Sequence, residues 1–233
     1  MTPTSDPARS QGAPPPTLNP PLPMTLTSSS LRDGHPIDPS FAFCEGGSGD
    51  AHTEDGGNRN PHLAWSGVPD GTRSFAVVVH DPDVPADASD ANTEGATIPE
   101  GAERTTFYHW LLVNVPADAA EIAEGSASDG VVEGGKTPGR SALGVEGTND
   151  FTDFLKGTPR EGTYGGYDGP CPPWNDERVH RYHFGVYALD TDSLGLDAGG
   201  GFRGDDVVEA MEGHVLAHAE VVGTYTTSPD VSA

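Results

Sequence analysis

The 233-residue chain is long enough for one domain with a sizeable core, and its 31 Gly and 22 Pro favour turns over long helices. Twelve Lys and Arg against 36 Asp and Glu give a formal net charge of −24, which would repel nucleic acid and anionic membranes. No run approaches the roughly 18 apolar residues of a membrane span, and no basic start leads into an apolar run, so neither a transmembrane segment nor a signal peptide is expected.

The acidity of the chain admits two interpretations. High net charge with low hydrophobicity is typical of disordered chains, but strongly apolar, strand-like runs recur along most of this one. We therefore interpret the charge as an adaptation to concentrated salt, because the Debye length falls to about 3 Å at 1 M and surface self-repulsion is then screened. On this interpretation the acidity indicates a halophilic, cytoplasmic setting and does not identify a partner.

The first 23 residues contain eight prolines and almost no large apolar residue, which predicts a disordered tail over residues 1–23. Met24 follows directly, so two alternatives stay open: a genuine tail, or a chain whose true start is Met24. We assign residues 24–227 to the domain and residues 228–233 to a second, short tail.

Five segments of the domain have the pattern of β-strands: 25–27, 74–79, 107–115, 181–189 and 220–225. Apolar residues at near-helical spacing predict one helix over 205–217. The Gly- and acid-rich segments 45–60 and 86–106 are predicted to be exposed loops. The pattern therefore predicts a mainly β domain with a helix near the C-terminus.

Two polar motifs interrupt the apolar strands. Asp81-Pro82-Asp83 follows the strand at 74–79, and the alternation of an extended chain would place both carboxylates on one face. His109 lies inside the next strand, where its neighbours are apolar. Each motif alone has an ordinary explanation, because Asp and Pro favour turns and a lone strand histidine is usually a satisfied core residue.

A third motif is a proline-rich loop, residues 169–173, that leads to His180, Arg181 and Tyr182 at the start of another strand. A rigid loop beside an imidazole, a guanidinium and a phenol could form an anion pocket. A structural loop beside a buried tyrosine is the alternative.

In combination the motifs resemble the prokaryotic branch of the phosphatidylethanolamine-binding protein family, which also includes Raf kinase inhibitor protein. The resemblance covers roughly residues 24–227 and rests on ordered segments: SSSLRDGHPI, NPHLAWSGVPDGTRSFAVVVHDPDVP, YHWLLVNVP, GTNDF, GYDGPCPP, HRYHFGVYALD and GHVLAHAEVVGTY. It implies a large antiparallel sheet packed on a smaller one, with the helix near the C-terminus.

The resemblance also implies a shallow surface pocket that binds phosphate-like or carboxylate anions. The matching ligand-binding positions are Asp81, Pro82, Asp83, His109, Gly169, Pro170, His180 and Tyr182. We expect the two histidines and the tyrosine to donate hydrogen bonds to the anion, most strongly from protonated imidazoles. We expect the two aspartates to orient the imidazoles and raise their pKa. Arg181 alternates to the opposite face and is expected to form a structural ion pair.

The implied function is non-enzymatic binding of a phosphorylated small molecule, a lipid headgroup or the phospho-group of a partner protein, with a regulatory role by analogy. No catalytic residue, cofactor or metal is expected. His214 and His218 have a spacing that can bind zinc, but HExxH is absent and no third ligand is evident. The alternatives are a hydrolase of phosphoryl or acyl substrates and an inhibitor of proteases or kinases.

Two segments depart from the family pattern: 86–106 is longer and more acidic than the usual turn, and 152–163 looks inserted. Both flank pocket motifs, so they could narrow the pocket or shape its partner. Cys44 and Cys171 lie in segments that resemble family motifs, and prokaryotic relatives often carry both positions. A bridge between them and a pair of reduced thiols both stay open.

Overall fold

The computed structural model describes residues 23–48 and 51–232. The tail predicted over residues 1–23 lies outside these ranges except for Pro23, and its disorder stays a prediction. The elements of the described residues are β1 (Thr25–Thr27), β2 (His35–Pro36), β3 (Cys44–Gly46), β4 (Thr53–Asp55), β5 (Leu63–Ser66), β6 (Ser74–Pro85), β7 (Arg104–Pro116), β8 (Glu121–Ile122), β9 (Gly139–Arg140), β10 (Val145–Glu146), α1 (Phe151–Phe154), β11 (His180–Leu189), α2 (Gly204–Met211) and β12 (Val215–Tyr225).

The strands form one large sheet and two small ones, which confirms the mainly β prediction. The seven-stranded sheet has the order β2-β12-β11-β6-β7-β10-β9, and a three-stranded sheet has the order β1-β5-β8. The remaining pair, β3 and β4, is an antiparallel hairpin. The large sheet is antiparallel except for the two-residue pairing of β2 with β12, which is parallel.

The large sheet is buried on both faces, as the continuous apolar run of β6 predicts. One set of alternating residues, including Val77, Val79 and Phe184, packs with Leu63 and Trp65 of the small sheet. The opposite set includes Ala76, Val78 and Leu111. It packs against Val207 and Met211 of α2 and against Phe202 in the loop that precedes α2. The central strands are therefore held rigidly, and their ends can position polar side chains.

The predicted helix is correct only in its first half. It ends at Met211, and Gly213 has φ +79°, a left-handed conformation that favours glycine and terminates helices. β12 starts at Val215, five residues before the predicted strand at 220–225, and pairs with β11 from Leu189 onward. The prediction of helix over 205–217 is wrong beyond Met211 because the apolar residues after Gly213 belong to a strand.

Strand β6 also runs further than predicted. It continues through the Asp81-Pro82-Asp83 motif to Pro85, with a register shift against β7 between Asp81 and Val84. Proline has no amide hydrogen and is tolerated at such bulges. Among the described residues, no helix is long and apolar enough to cross a membrane.

Candidate functional site

A cleft of about 460 Å³, including its open mouth, lies where β6, β7 and β11 run side by side. Its polar lining residues are all buried, and they are Asp81, His109, His180 and Tyr182. Its apolar lining residues are Val84, Pro85, Ala88, Ala91, Phe107, Phe151, Phe154, Cys171, Pro172 and Pro173. Phe154 is 40% exposed and stands at the rim. The cleft therefore combines a polar base with apolar walls.

Adjacent strands bring the polar residues together. β6 carries Asp81, its antiparallel neighbours β7 and β11 carry His109 and His180, and Tyr182 follows two residues along β11. Residues two apart in a strand share a face, so His180 and Tyr182 are presented to the same side. Their rings lie 6.5 Å apart, and the ring of His109 lies 5.2 Å from that of Tyr182.

His180 is held between two buried carboxylates. Its Nδ1 lies 2.7 Å from Asp81 and its Nε2 lies 3.2 Å from Asp176. Carboxylates accept hydrogen bonds, so both nitrogens of His180 donate and the ring is an imidazolium. Burial opposes this charge, but the hydrogen bonds to Asp176 and Asp81 outweigh it and raise the pKa of His180 to about 9.

Asp83 does not contact either histidine. It accepts hydrogen bonds from the side chains of Arg178 and Arg181 and from the backbone N–H of Arg181. Burial alone would raise the pKa of Asp83, but these hydrogen bonds lower it to about 2. The expected ion pair of Arg181 is present, whereas the expectation that Asp83 orients an imidazole is wrong because the arginines occupy its carboxylate.

His109 differs in charge from the sequence expectation. Its Nδ1 lies 2.8 Å from the carbonyl oxygen of Asp168, and its Nε2 has no hydrogen-bond partner among the residues that the structure describes. Burial lowers the pKa of His109 to about 4, although the charge of Asp81 acts in the opposite direction. Asp81 raises the pKa of His109 as expected, but burial outweighs it, so the ring is neutral near pH 7 and the expectation of a protonated imidazole is wrong for His109.

The segment that receives His109 is anchored by a buried polar cluster. The Asp168 carboxylate accepts hydrogen bonds from Lys136, Asn58 and Asn149. The backbone N–H of Asp168 donates to the carbonyl of His109 at 3.1 Å. The side chain and the main chain of His109 are thus both fixed on this one residue.

Tyr182 keeps its phenol hydrogen under all ordinary conditions. Burial and the negative charge of Asp81 together raise the pKa of Tyr182 well above its usual value. The tyrosine is therefore a hydrogen-bond donor, and it lies beside Asp81 in the polar base of the cleft.

The remaining predicted site residues, Pro82, Gly169 and Pro170, do not line the cleft. The carbonyl of Pro170 accepts hydrogen bonds from the backbone N–H groups of Phe43 and Cys44 at 2.9 and 3.2 Å. A side chain at Gly169 would collide with the carbonyl oxygen of Phe41. Both loop residues therefore support the wall of the cleft from behind.

Both segments that depart from the family pattern contribute to the cleft. Ala88 and Ala91 come from the acidic loop, and Phe154 comes from the segment at 152–163. Asn175 fixes the acidic loop, since its side-chain amide donates to the carbonyls of Asp90 and Ala96 at 2.8 and 3.0 Å. These segments contribute to the apolar walls and supply none of the four polar residues of the base.

Cys44 and Cys171 form a disulfide, with their Cα atoms 4.9 Å apart across 127 residues of sequence. Of the two alternatives that the sequence leaves open, the structure therefore has the bridge and not the two reduced thiols. Cys171 lines the cleft, so the bridge ties one wall to the strand that begins at Cys44.

Sequence reasoning missed Asp176, the second carboxylate on His180. Asp176 also binds Arg104 through both carboxylate oxygens, at 2.5 and 3.0 Å. Its position four residues before His180 was the available signal. The aromatic wall formed by Phe107 and Phe151 was missed as well, because an apolar residue in a strand or a turn does not reveal which cavity it lines. Among the described residues, no three His, Cys, Asp or Glu side chains are grouped as a metal ion would require.

Comparisons with known proteins agree with this architecture. The sequence profile described as phosphatidylethanolamine-binding protein matches residues 27–226. A UPF0098 protein of Methanothermobacter thermautotrophicus is 37% identical over 174 residues, which cover 75% of this chain and 87% of that protein. The UPF0098 protein YbcL of Escherichia coli is 32% identical over 200 residues, which cover 86% of each chain.

Solved structures show the same fold. The crystal structure of Escherichia coli YbcL, described as a new member of the mammalian PEBP family, has a TM-score of 0.61 and 30% sequence identity to this chain. The match covers 88% of this chain and 99% of YbcL. A PEBP homolog of Chlamydia trachomatis, CT736, has a TM-score of 0.55 at 27% identity, with 87% of this chain covered.

Proposed function

We propose that this chain, which belongs to the phosphatidylethanolamine-binding protein family, binds the phosphate-like or other anionic group of a small molecule in the cleft and does not transform it. The observation that carries the proposal is the unpartnered Nε2 of His109, a buried polar atom in a residue that lines the cleft. An unpaired buried polar group costs about 1–3 kcal/mol. A ligand that donates a hydrogen bond to this atom recovers that cost.

The other predicted site residues have supporting roles in this proposal. The O–H of Tyr182 faces Asp81, and together with the Asp81–His180 ion pair it fixes the shape and charge of the base. Asp83 holds the strand end through its arginines, while Pro82, Gly169 and Pro170 stiffen the surrounding backbone. Apolar walls around a few polar groups are typical of small-molecule sites.

Binding is favoured over hydrolysis by the composition of the lining. The lining residues include no serine, threonine or lysine, and the one cysteine among them is in the disulfide. This lining therefore offers no covalent mechanism through an aliphatic hydroxyl, an amine or a free thiol, and a test for released inorganic phosphate covers attack by the carboxylate, the imidazoles or the phenol. A regulatory role would require that the bound ligand alters the surface at the rim of the cleft, where a partner protein could contact it.

Calorimetric titration with phenyl phosphate tests the proposal. We expect the His109→Ala variant to bind about 10–100-fold more weakly than the unmodified protein, the range for losing a hydrogen bond to a charged group. His214→Ala is the matched control, because this histidine is about half exposed and lies outside the cleft. Equal affinity of all three proteins would contradict the site, and release of inorganic phosphate by the unmodified protein would contradict binding without turnover.

A further inference from the structure

The hydrogen bond at Nδ1 fixes the tautomer of His109. A backbone carbonyl can only accept, so the 2.8 Å contact with Asp168 requires the hydrogen to be on Nδ1. The Nε2 atom of the neutral ring then carries a lone pair and accepts a hydrogen bond. A fully ionised phosphate dianion offers only acceptors, and it cannot pair with this atom.

The groups packed around His109 do not reverse this preference. Asp81 on β6 is negative, His180 and Tyr182 are presented by β11, and the rings of Phe107 and Phe151 cover the imidazole at 4.8 and 5.5 Å. Both nitrogens of His180 are already bound to carboxylates, so its positive charge is balanced within the protein.

The arginines near the cleft are also paired. Arg104 binds Asp176, while Arg178 and Arg181 bind Asp83. Within residues 23–48 and 51–232, no arginine or lysine lines the cleft. A second negative charge on the ligand would therefore face Asp81 without a cation to offset it, whereas a ligand with one negative charge meets less repulsion.

The rim of the cleft selects for the rest of the ligand. Phe154, Pro172, Pro173, Ala88 and Ala91 are apolar lining residues. A bare inorganic anion would leave these surfaces in contact with water, while an aromatic or alkyl substituent would cover them. The segments at 86–106 and 152–163 contribute three of these five residues, so this selectivity comes from the parts of the chain that depart from the family pattern.

We propose that the cleft selects phosphomonoesters with an apolar substituent in their singly protonated form, in which the ligand's own P–O–H hydrogen is donated to Nε2 of His109. This inference rests on the proposed function and specifies its ligand. A phosphomonoester with a second pKa of about 6 is mostly a dianion above that pH. Binding then takes up one proton from solution for each ligand bound.

Two isosteric ligands test the inference without any mutation. Phenyl phosphate at pH 5 is a monoanion with one hydrogen, and phenyl sulfate is a monoanion with none. We expect phenyl phosphate to bind at least about tenfold more tightly, because only it can donate to Nε2. Calorimetry at pH 7.5 in two buffers of different ionisation enthalpy should show about one proton taken up per bound phenyl phosphate.

The His109→Ala variant and the two ligands distinguish anion binding in general from the preference for a singly protonated phosphomonoester. In His109→Ala the preference for phosphate over sulfate should disappear, and methyl phosphate should bind more weakly than phenyl phosphate to the unmodified protein. Equal binding of phenyl phosphate and phenyl sulfate, or no proton uptake, would overturn the inference while leaving anion binding intact. Binding of neither ligand would overturn both the inference and the proposed function.

Discussion

The Nδ1 atom of His180 lies 2.7 Å from a carboxylate oxygen of Asp81, and both side chains are almost completely buried. Asp176 holds the other nitrogen, and Arg104 binds Asp176 in turn. The charges alternate along this row, so each buried ion has an opposite partner, as buried ions require. The row forms a rigid base for the cleft, and among the described residues that line the cleft the Nε2 atom of His109 is left without a hydrogen-bond partner.

The first prediction concerns pH and stability. His180 has an ordinary pKa of 6.5 that rises to about 9 in the folded chain, where hydrogen bonds to Asp176 and Asp81 outweigh burial. A group whose pKa is raised on folding contributes its full stabilisation below pH 6.5. This contribution to the free energy of unfolding is lost as pH rises through 9. The free energy of unfolding, measured with urea at constant high salt, should fall by at most about 3 kcal/mol between pH 6.5 and 9.

A pair of variants checks the source of this pH dependence. His180→Gln should be less stable and should lose most of the decline, whereas His35→Gln, which changes an exposed histidine, should keep it. A flat profile for the unmodified protein between pH 6.5 and 9 would show that His180 is not held as an imidazolium.

The second prediction concerns Glu146, which accepts a hydrogen bond from Trp110 at 2.8 Å. Burial raises the pKa of Glu146 from 4.5 to about 7, against the effect of that hydrogen bond. A carboxyl with a raised pKa loses stabilisation as pH rises from 4.5 through 7, so its ionised form destabilises the fold at pH 8. Glu146→Gln should raise the free energy of unfolding at pH 8 by at most about 3 kcal/mol.

The control for Glu146 is Glu133→Gln, which removes one charge from an exposed position. Thermal unfolding of both variants at pH 4 and pH 8 would separate burial from net charge. If the two substitutions stabilise the protein equally, the change in net charge explains the result and burial of Glu146 does not.

The third prediction concerns the bridge between Cys44 and Cys171. Closing a loop across 127 residues should stabilise the fold by roughly 2–4 kcal/mol, mainly by restricting the unfolded chain. Urea unfolding with and without a dithiol reductant should show this difference. The Cys44→Ser/Cys171→Ser double variant should have the same free energy of unfolding with and without the reductant. If the reductant destabilises this variant as much as the unmodified protein, the effect does not come from the bridge.

The fourth prediction concerns salt and rests on the interpretation of the acidity as halophilic. The net charge of −24 repels an anionic ligand at long range, while the cleft contacts act at hydrogen-bond distance. Salt screens the long-range repulsion first, since the Debye length is about 8 Å at 0.15 M and 3 Å at 1 M. Affinity for phenyl phosphate should therefore rise with KCl, at concentrations that all keep the protein folded.

A neutral solute separates screening from dehydration in the salt experiment. Sucrose at matched osmolarity should leave the affinity close to its low-salt value, because it does not screen charge. A steady fall of affinity with KCl would contradict the prediction and would indicate that unpaired cations attract the ligand.

Much of the fold followed from local sequence patterns, and the charge state of the site did not. The run at Ser74 to Val79 identifies the central strand, and Gly213 marks the end of the helix although apolar residues continue beyond it. The protonation of His109 depends on burial and on a backbone carbonyl 59 residues away in sequence. Such long-range contacts are set by packing, so no local motif could predict them.

A crystal structure of the protein grown with phenyl phosphate tests the central claim most directly. We expect a phosphate oxygen at about 2.6–3.2 Å from Nε2 of His109, with the phenyl ring against Phe154 and Pro173. Phosphate bound elsewhere, or a cleft without ligand at a concentration that saturates the calorimetric titration, would contradict it.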